Sequence, residues 1–198
     1  FKVVYRRHTN FSMEAIQQTF NGSVGFGSRC TATISRNGDL VHKLYVETQV
    51  APTTPPTTDY CSNYGSAIIK ECEIEIGGQQ IDRHYGHWLE TRAQLEEKNN
   101  DRSLAVMTAT QADVDLTMFQ SMSCSGGVSA ANFNAVMTDG HTLHIPLQFW
   151  FCKNPGLALP LIALQYHEVK VKIEIAPASG GTGLSDAVMA DTSLDFKL

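Results

Sequence analysis

The sequence lacks the features that mark most functional classes. Charged residues make up 18% of its 198 residues, and the net charge is −5. The only basic cluster, Arg6-Arg7-His8, is too short to form a nucleic-acid-binding surface. No uninterrupted apolar run is long enough to span a bilayer as a helix. We therefore predict neither direct binding to nucleic acid nor membrane insertion.

The cysteines lack the spacing of a zinc site or a disulfide framework. There are five, an odd number, and no two form a C-x-x-C pair: Cys30, Cys61, Cys72, Cys124 and Cys152. Such widely spaced cysteines indicate buried free thiols in a reducing compartment.

Catalytic motifs are also missing. The sequence contains no G-x-S-x-G, P-loop or G-x-G-x-x-G pattern. Glu71, Glu73 and Glu75 alternate with apolar residues, which predicts one solvated strand face and not an acid–base pair. We predict that the protein is not an enzyme and binds no cofactor.

Two H-x-x-H pairs raise the question of a metal site. His141 and His144 begin a predicted strand, where residues three apart point to opposite faces. His84 and His87 begin a predicted helix, where residues three apart are neighbours, but no third ligand is evident. We therefore predict no metal.

The segment that organises the chain is residues 142–175, which contains two apolar strand patterns. In the second, four apolar residues alternate with charged ones: Val169, Val171, Ile173 and Ile175. In the first, five apolar residues share one face: Leu143, Ile145, Leu147, Phe149 and Phe151. Trp150 and Cys152 make its other face apolar as well, which indicates a strand covered on both sides. The turn signal Lys153-Asn154-Pro155-Gly156 follows the first strand.

Further strands are predicted from period-two patterns at residues 24–34, 40–50, 69–76 and 194–198, and residues 1–20 read as extended. The turn signal Arg36-Asn37-Gly38-Asp39 predicts an antiparallel hairpin between the first two. Loops are predicted at residues 51–65, 120–141 and 177–183. Short strands are an alternative within residues 120–141. The chain begins and ends inside strand patterns, so we expect it to be part of a longer protein.

One amphipathic helix is predicted over His84–Lys98, started by Asp82. We expect Trp88, Leu89 and Leu95 to hold it against the rest of the domain. A second, weaker helical pattern covers residues 104–112. This inventory, mostly strands with turn signals between them, predicts an all-β sandwich.

Three blocks of the sequence resemble the major capsid proteins of large nucleocytoplasmic double-stranded DNA viruses. They are KVVYRRHTNFSMEAIQQTF (Lys2–Phe20), IEIGGQQIDRHYGHWLE (Ile74–Glu90) and FWFCKNPGLALPLIALQYHEVKVKIEI (Phe149–Ile175). The resemblance implies a jelly roll, the first half of a double jelly roll, with residues 1–198 as the N-terminal domain and the second domain outside this sequence. It also implies a homotrimeric, pseudo-hexameric capsomer of an icosahedral shell. The implied partners are neighbouring capsomers and minor capsid proteins beneath the shell, in a virion assembled in the host cytoplasm.

Under this resemblance, loops 51–65 and 120–141 are candidates for the outer surface and for contacts between subunits. Candidate packing or interface residues are aromatic: Phe149, Trp150, Phe151, Tyr166 and Trp88. Filling the core of this domain is the competing role for these aromatics. Asn10 and Asn21 lie in N-x-S/T triplets and are candidate glycosylation sites, although such triplets often arise by chance.

Two other functions remain open from the sequence. One is a carbohydrate-binding jelly-roll module, which would need an exposed aromatic platform or a calcium loop. The other is a single-jelly-roll vertex (penton) protein of the same kind of virus.

Overall fold

The computed structural model describes residues 3–50, 62–97, 104–106, 114–129, 141–177 and 195–197. Its main sheet consists of five strands: β1 (Phe20–Asn21), β2 (Arg29–Thr33), β5 (Ile69–Ile76), β6 (Gln79–Tyr85) and β11 (Val169–Ile175). They are antiparallel and lie in the order β1-β2-β11-β5-β6.

A second sheet has three strands in the order β12-β4-β9, and two short ribbons pair β10 with β3 and β7 with β8. The three strands are β4 (Tyr45–Val50), β9 (His141–Pro146) and β12 (Asp195–Lys197). The ribbons are formed by β3 (Leu40–Val41), β10 (Leu159–Pro160), β7 (Leu104–Val106) and β8 (Val114–Leu116).

The strand pairing is nested along the chain. Strand β2 pairs with the late strand β11, and β4, the next long strand, pairs with the earlier β9. Each pair is antiparallel and the two pairs lie in different sheets, as when a long hairpin is wrapped around a core. This is the arrangement of a jelly roll, which confirms the predicted fold class.

The core lies between the two sheets. Val171, Ile173 and Ile74 are buried on the inner face of the large sheet, while Val46 and Ile145 are buried on the other sheet. Their polar neighbours in sequence point outward because successive residues of a strand alternate between faces. Full burial of each such side chain contributes roughly 1.5–3 kcal/mol, so the period-two pattern determines which face of each strand packs inward.

The predicted hairpin between strands 24–34 and 40–50 is wrong. Strand β2 belongs to the five-stranded sheet and β4 to the three-stranded sheet. Between them the chain crosses from one sheet to the other, and the short β3 pairs with β10 instead. The turn signal at Asn37-Gly38 correctly locates a reversal, but it carries no information about which strand becomes the partner.

The main helix, α2 (Gly86–Glu96), is shorter than predicted and buries a different stripe. His84 and Tyr85 belong to strand β6, and no side chain, including that of Asp82, caps the helix start. Its buried residues are Gly86, Leu89 and Ala93. Leu89 is therefore an anchor as predicted, whereas Trp88 is 44% exposed and Leu95 is 78% exposed.

Small residues explain this choice of helix face. A Cβ atom added to Gly86 would lie 2.1 Å from the carbonyl oxygen of Ser66, so α2 approaches the preceding helix at backbone distance. That helix is α1 (Tyr64–Ala67), which falls at the end of the predicted loop 51–65. A stripe containing glycine and alanine permits this approach, whereas a stripe through Trp88 does not.

Two more helices lie in segments predicted otherwise. Helix α3 (Met118–Ser123) occupies part of the predicted loop 120–141. The first predicted strand of the segment 142–175 ends at Pro146, and its last residues belong to helix α4 (Trp150–Lys153). The pattern at 104–112 is also not helical where it is described, because residues 104–106 form strand β7. A short 3-10 turn, Pro155–Leu157, precedes β10.

Other predictions lie partly or wholly outside the described residues. These are the loop residues 51–61, 130–140 and 178–183, together with Cys61 and Lys98. Within the part of the chain that is described, no helix is long and apolar enough to cross a membrane.

Candidate interaction surfaces

A cluster of polar contacts joins the described residues that border the two loops predicted from the sequence. We call it the loop-base cluster and define it as Asn63, Ser66, Glu90, Ser125 and residues 126–128. The carboxylate of Glu90 accepts hydrogen bonds from the backbone N–H of Gly126 (2.9 Å) and Gly127 (3.0 Å), and from the Ser66 hydroxyl (3.1 Å). One half-buried carboxylate on α2 therefore ties residues 126–127 and Ser66 of α1 to the same helix.

Asn63 provides the matching contact from the other loop. Its side-chain oxygen accepts hydrogen bonds from the N–H of Gly127 (2.9 Å) and Val128 (2.7 Å), and its backbone is left-handed with φ 53°. The hydroxyls of Ser66 and Ser125 are also hydrogen-bonded to each other at 2.8 Å. Residues 62–67 and 124–128, which border segments 51–61 and 130–140, are thus tied directly to each other.

The backbones at this end are in close contact. A Cβ atom added to Gly65 would lie 1.8 Å from the carbonyl oxygen of Ser123, at the end of α3. Thr117 caps the start of helix α3 through a reciprocal capping box with Gln120, in which each side chain accepts from the backbone N–H of the other residue. The side-chain amide of Gln120 also donates to the Gly126 carbonyl (2.7 Å). Glycine at position 65 is required by this close approach.

The opposite end of the large sheet has an apolar surface. We call it the β3–β10 end and define it as residues 36–41, 77–78 and 155–168. Backbone hydrogen bonds hold it together, including Leu161 N–H to the Asp39 carbonyl and Gly77 N–H to the Glu168 carbonyl, both at 2.9 Å. Its large apolar side chains that face solvent are Leu40, Leu157, Ile162 and Tyr166. Ordered backbone with exposed apolar side chains is typical of a contact surface.

The candidate aromatic residues fall into two groups. Phe149 and Phe151 are fully buried and stacked, with ring centroids 5.7 Å apart, and Trp150 packs edge-on against Phe151 at 5.0 Å. These three belong to or border the core of this domain, as in the competing role considered above. Tyr166, in contrast, is 86% exposed, and Trp88 is nearly half exposed. Only these last two present substantial surface to a partner.

The N-terminal segment is a second exposed apolar surface. Residues 3–19 form no helix or strand, and their large apolar side chains face solvent: Val3, Val4, Tyr5, Phe11 and Met13. The segment is tied to the sandwich through β1 and through Gln18, whose side-chain oxygen accepts from the Ser35 N–H (2.9 Å). Asn10 and Asn21 are both exposed, so their glycosylation stays a prediction.

The outer face of the five-stranded sheet carries paired charges. Arg29 contacts Glu73 at 2.8 Å and Glu71 at 3.5 Å across the intervening strand β11, and Arg83 lies 3.9 Å from both carboxylates. Lys172 pairs with Glu75. The three glutamates share one face as predicted, but Glu73 is buried and not solvated as we expected, because these basic side chains cover it.

Two opposing influences act on the pKa of Glu71 on this face. Burial, followed by the hydrogen bond and the charge of Glu73, raises the pKa of Glu71, while Arg83 and Arg29 lower it. The basic partners Arg29 and Arg83 are exposed to solvent, and surface ion pairs each contribute about 0–1 kcal/mol. We assign the face a structural role.

Histidines and cysteines form no site in the described residues. No group of three metal-ligating side chains comes together there. His84 is buried on strand β6 and His87 is exposed on α2. The two histidines therefore do not share a helix face, contrary to the expectation from the sequence. Cys30, Cys72 and Cys124 are buried free thiols, as predicted, and Cys152 is a half-buried one.

Burial makes these thiols poor nucleophiles. It raises the pKa of Cys30 to about 11 and of Cys124 to about 12, and raises that of Cys72 well above its ordinary range. A thiol is reactive as its thiolate, which is suppressed here at neutral pH.

Comparisons with known proteins agree on one family. The family model described as "Major capsid protein N-terminus" matches residues 1–194. The major capsid protein of Pyramimonas orientalis virus is 45% identical over 196 residues, covering 98% of this chain and 45% of that protein. The chain therefore spans less than half the length of this relative.

Solved structures give the same result. The crystal structure of the PBCV-1 protein VP54, fitted into a reconstruction of the virophage Sputnik, matches with a TM-score of 0.69 and 34% identity. A quasi-atomic model of the PBCV-1 virus capsid matches with a TM-score of 0.67 and 35% identity. Each match covers 100% of this chain and 43% of the other.

Proposed function

This chain belongs to the family of major capsid proteins of large DNA viruses, and from that premise we propose that it builds the icosahedral shell of a virion. The observation that carries the proposal is the match over the full length of the chain to a capsid protein structure at a TM-score of 0.69. The role is structural and not catalytic, in agreement with the pairing of its surface carboxylates and the burial of its thiols. Assembly takes place in the host cytoplasm.

Residues 1–198 form the N-terminal jelly roll of a longer subunit, with a second jelly roll following outside this sequence. The support is that the chain covers only 45% of the relative from Pyramimonas orientalis virus and 43% of the matched structures. Three such subunits form a capsomer with a pseudo-hexagonal outline. It contacts neighbouring capsomers at its sides and minor capsid proteins beneath.

The exposed apolar side chains fit this role. Leu40, Leu157, Ile162 and Tyr166 at the β3–β10 end meet neighbouring copies of the subunit. Monomeric proteins seldom leave extended apolar patches in water, whereas stable interfaces bury such side chains at their centre. The exposed N-terminal segment, residues 3–19, supplies further apolar contacts.

The loop-base cluster serves the opposite need. It fixes the residues that border segments 51–61 and 130–140. Fixed borders would allow long loops between them without loosening the core. We assign these loops to the outer surface of the shell and to contacts between subunits.

Light scattering on the full-length protein tests this proposal. We expect a stable particle of three chains, with well over about 1,000 Å² buried at each interface. A monodisperse monomer at high concentration would contradict the proposal. No observation favours the carbohydrate-binding module or the vertex protein, since the relatives are named major capsid proteins.

A further inference from the structure

Within the described residues, His84 is a buried histidine without a hydrogen-bond partner. It lies near the end of strand β6, is only 5% exposed, and neither Nδ1 nor Nε2 meets a donor or acceptor in that part of the chain. Buried polar groups are almost always hydrogen-bonded, so an imidazole with two orphaned nitrogens is exceptional. Its role is not explained by the packing of the sheet alone.

The surroundings of His84 are mostly apolar. Its ring packs against Phe149 with centroids 4.5 Å apart at an interplanar angle of 63°, and Cys72 is its register partner on β5. Phe149 immediately precedes helix α4, so one ring contact joins the edge strand of the large sheet to segment 149–153. This segment, in turn, supplies the buried Phe151 to the core.

Few charges are available to compensate a cation at this position. Among the residues that the structure describes, Asp82, two residues earlier on the same strand, is the one carboxylate whose charge acts on His84, and it is half-buried. The thiols of Cys72 and Cys152 are neutral, and the charges near Cys152 are the cations Arg92 and Lys43. Glu71 and Glu73 are engaged on the opposite face of β5 with Arg29 and Arg83.

We propose that His84 is an acid-sensing residue of the subunit, whose protonation opens the contact between strand β6 and segment 149–153. A buried cation without adequate partners is unstable, so a protonated ring must move toward water. Separation of β6 from segment 149–153, which removes the contact with Phe149, would give the ring access to water. Mild acid would therefore loosen this side of the sandwich first.

The pH range follows from the direction of the shift. Burial lowers the pKa of His84 from its ordinary value of 6.5 to about 4, and Asp82 offsets this only in part. The stability that depends on the neutral ring is complete above pH 6.5 and is lost as the pH falls towards 4. For these two pKa values, the opening equilibrium rises about 30-fold between pH 7.5 and pH 5.

Hydrogen exchange of the full-length protein, read by mass spectrometry and corrected for the intrinsic effect of pH, measures this opening. We expect peptides covering residues 72–85 and 149–153 to open about 30-fold more at pH 5 than at pH 7.5. No increase in the wild-type protein would overturn the proposal without reference to any variant.

Two variants assign the effect to His84. The His84→Phe protein should lose the increase in the same peptides, and His84→Leu serves the same purpose if phenylalanine overpacks the site. His87→Phe is the matched control, because this exposed neighbour should leave the increase unchanged. A full increase in a His84 variant, or its loss in the His87 variant, would refute the assignment.

Discussion

The two ends of the five-stranded sheet are built on different principles. Strand β5 starts beside the loop-base cluster and finishes at the β3–β10 end, about 26 Å away for its eight residues. At its start, a carboxylate and an amide accept hydrogen bonds from backbone N–H groups, two serine hydroxyls bond to each other, and two glycines permit close backbone approach. At its finish, backbone bonds close the turns while apolar side chains face outward.

Under the function proposed above, this difference would separate stability from assembly within one domain. Substitutions in the loop-base cluster should unfold or loosen the domain, because its groups are satisfied internally. Substitutions on the exposed side chains of the β3–β10 end should leave the domain folded and weaken contacts with neighbours. Each prediction below tests one side of this comparison.

The largest effect is expected at Leu89. Replacing this buried anchor of α2 by alanine should lower the free energy of unfolding by about 2–5 kcal/mol, through lost burial and a remaining cavity. Trp88→Ala is the matched control on the adjacent, half-exposed residue and should cost less. Urea unfolding measures both. A larger loss of unfolding free energy in Trp88→Ala than in Leu89→Ala would support the helix face predicted from the sequence and contradict the observed one.

Gly65→Ala should also be severe. Its new methyl group would meet the Ser123 carbonyl oxygen at 1.8 Å, and overpacking of this kind costs roughly 1–3 kcal/mol or more. Gly38→Ala is the control at the other end, because a Cβ atom there meets nothing within 4 Å. Thermal melting of the two variants should differ clearly. Equal melting temperatures would show that the close approach at Gly65 relaxes without cost.

Glu90→Gln should have an intermediate effect. Glutamine keeps one side-chain oxygen but loses the charge that strengthens hydrogen bonds from the Gly126 and Gly127 N–H groups. Hydrogen bonds to charged groups contribute about 1.5–3 kcal/mol each, so we expect faster amide exchange in residues 117–129. Glu97→Gln, an exposed neighbour just after α2, is the control. Unchanged exchange at Gly126 and Gly127 would remove Glu90 from the cluster.

The smallest effect on stability is expected for Ile162→Ser combined with Tyr166→Ser. Both side chains are largely exposed, and surface substitutions usually change stability by less than about 0.5 kcal/mol each. The melting temperature of the isolated subunit should stay nearly constant while the mass of the full-length protein in solution falls. A large drop in melting temperature would mean that these residues stabilise the domain itself.

The sequence predicts the strands well wherever one face is buried. The alternation in β11 and β5 locates both strands within a residue of their observed bounds. The stretch 147–152, apolar on both faces, was misassigned because periodicity cannot distinguish a buried strand from a short helix. Leu147, Phe149 and Phe151 are nevertheless all buried, as their shared face predicted.

The interaction surfaces were less accessible to sequence reasoning. Glu90 and Asn63 act on backbone groups 36 and 64 residues away, and no local pattern reveals such contacts. The buried stripe of α2 depends on how closely Gly86 approaches Ser66, which hydrophobic spacing does not record. For His84, hydrophobic alternation gave no signal, because the apolar Ile81 is exposed on β6 while the polar Asp82 and His84 are the residues that face inward.

The different roles of the two ends are tested most directly by hydrogen exchange. The assembled full-length protein is compared with unassembled subunits that carry both Ile162→Ser and Tyr166→Ser. We expect residues 155–168 to be more protected in the assembled protein, and residues 117–129 to be equally protected in both. Protection gained at 117–129 instead, or no difference at 155–168, would contradict the assignment of assembly contacts to the β3–β10 end.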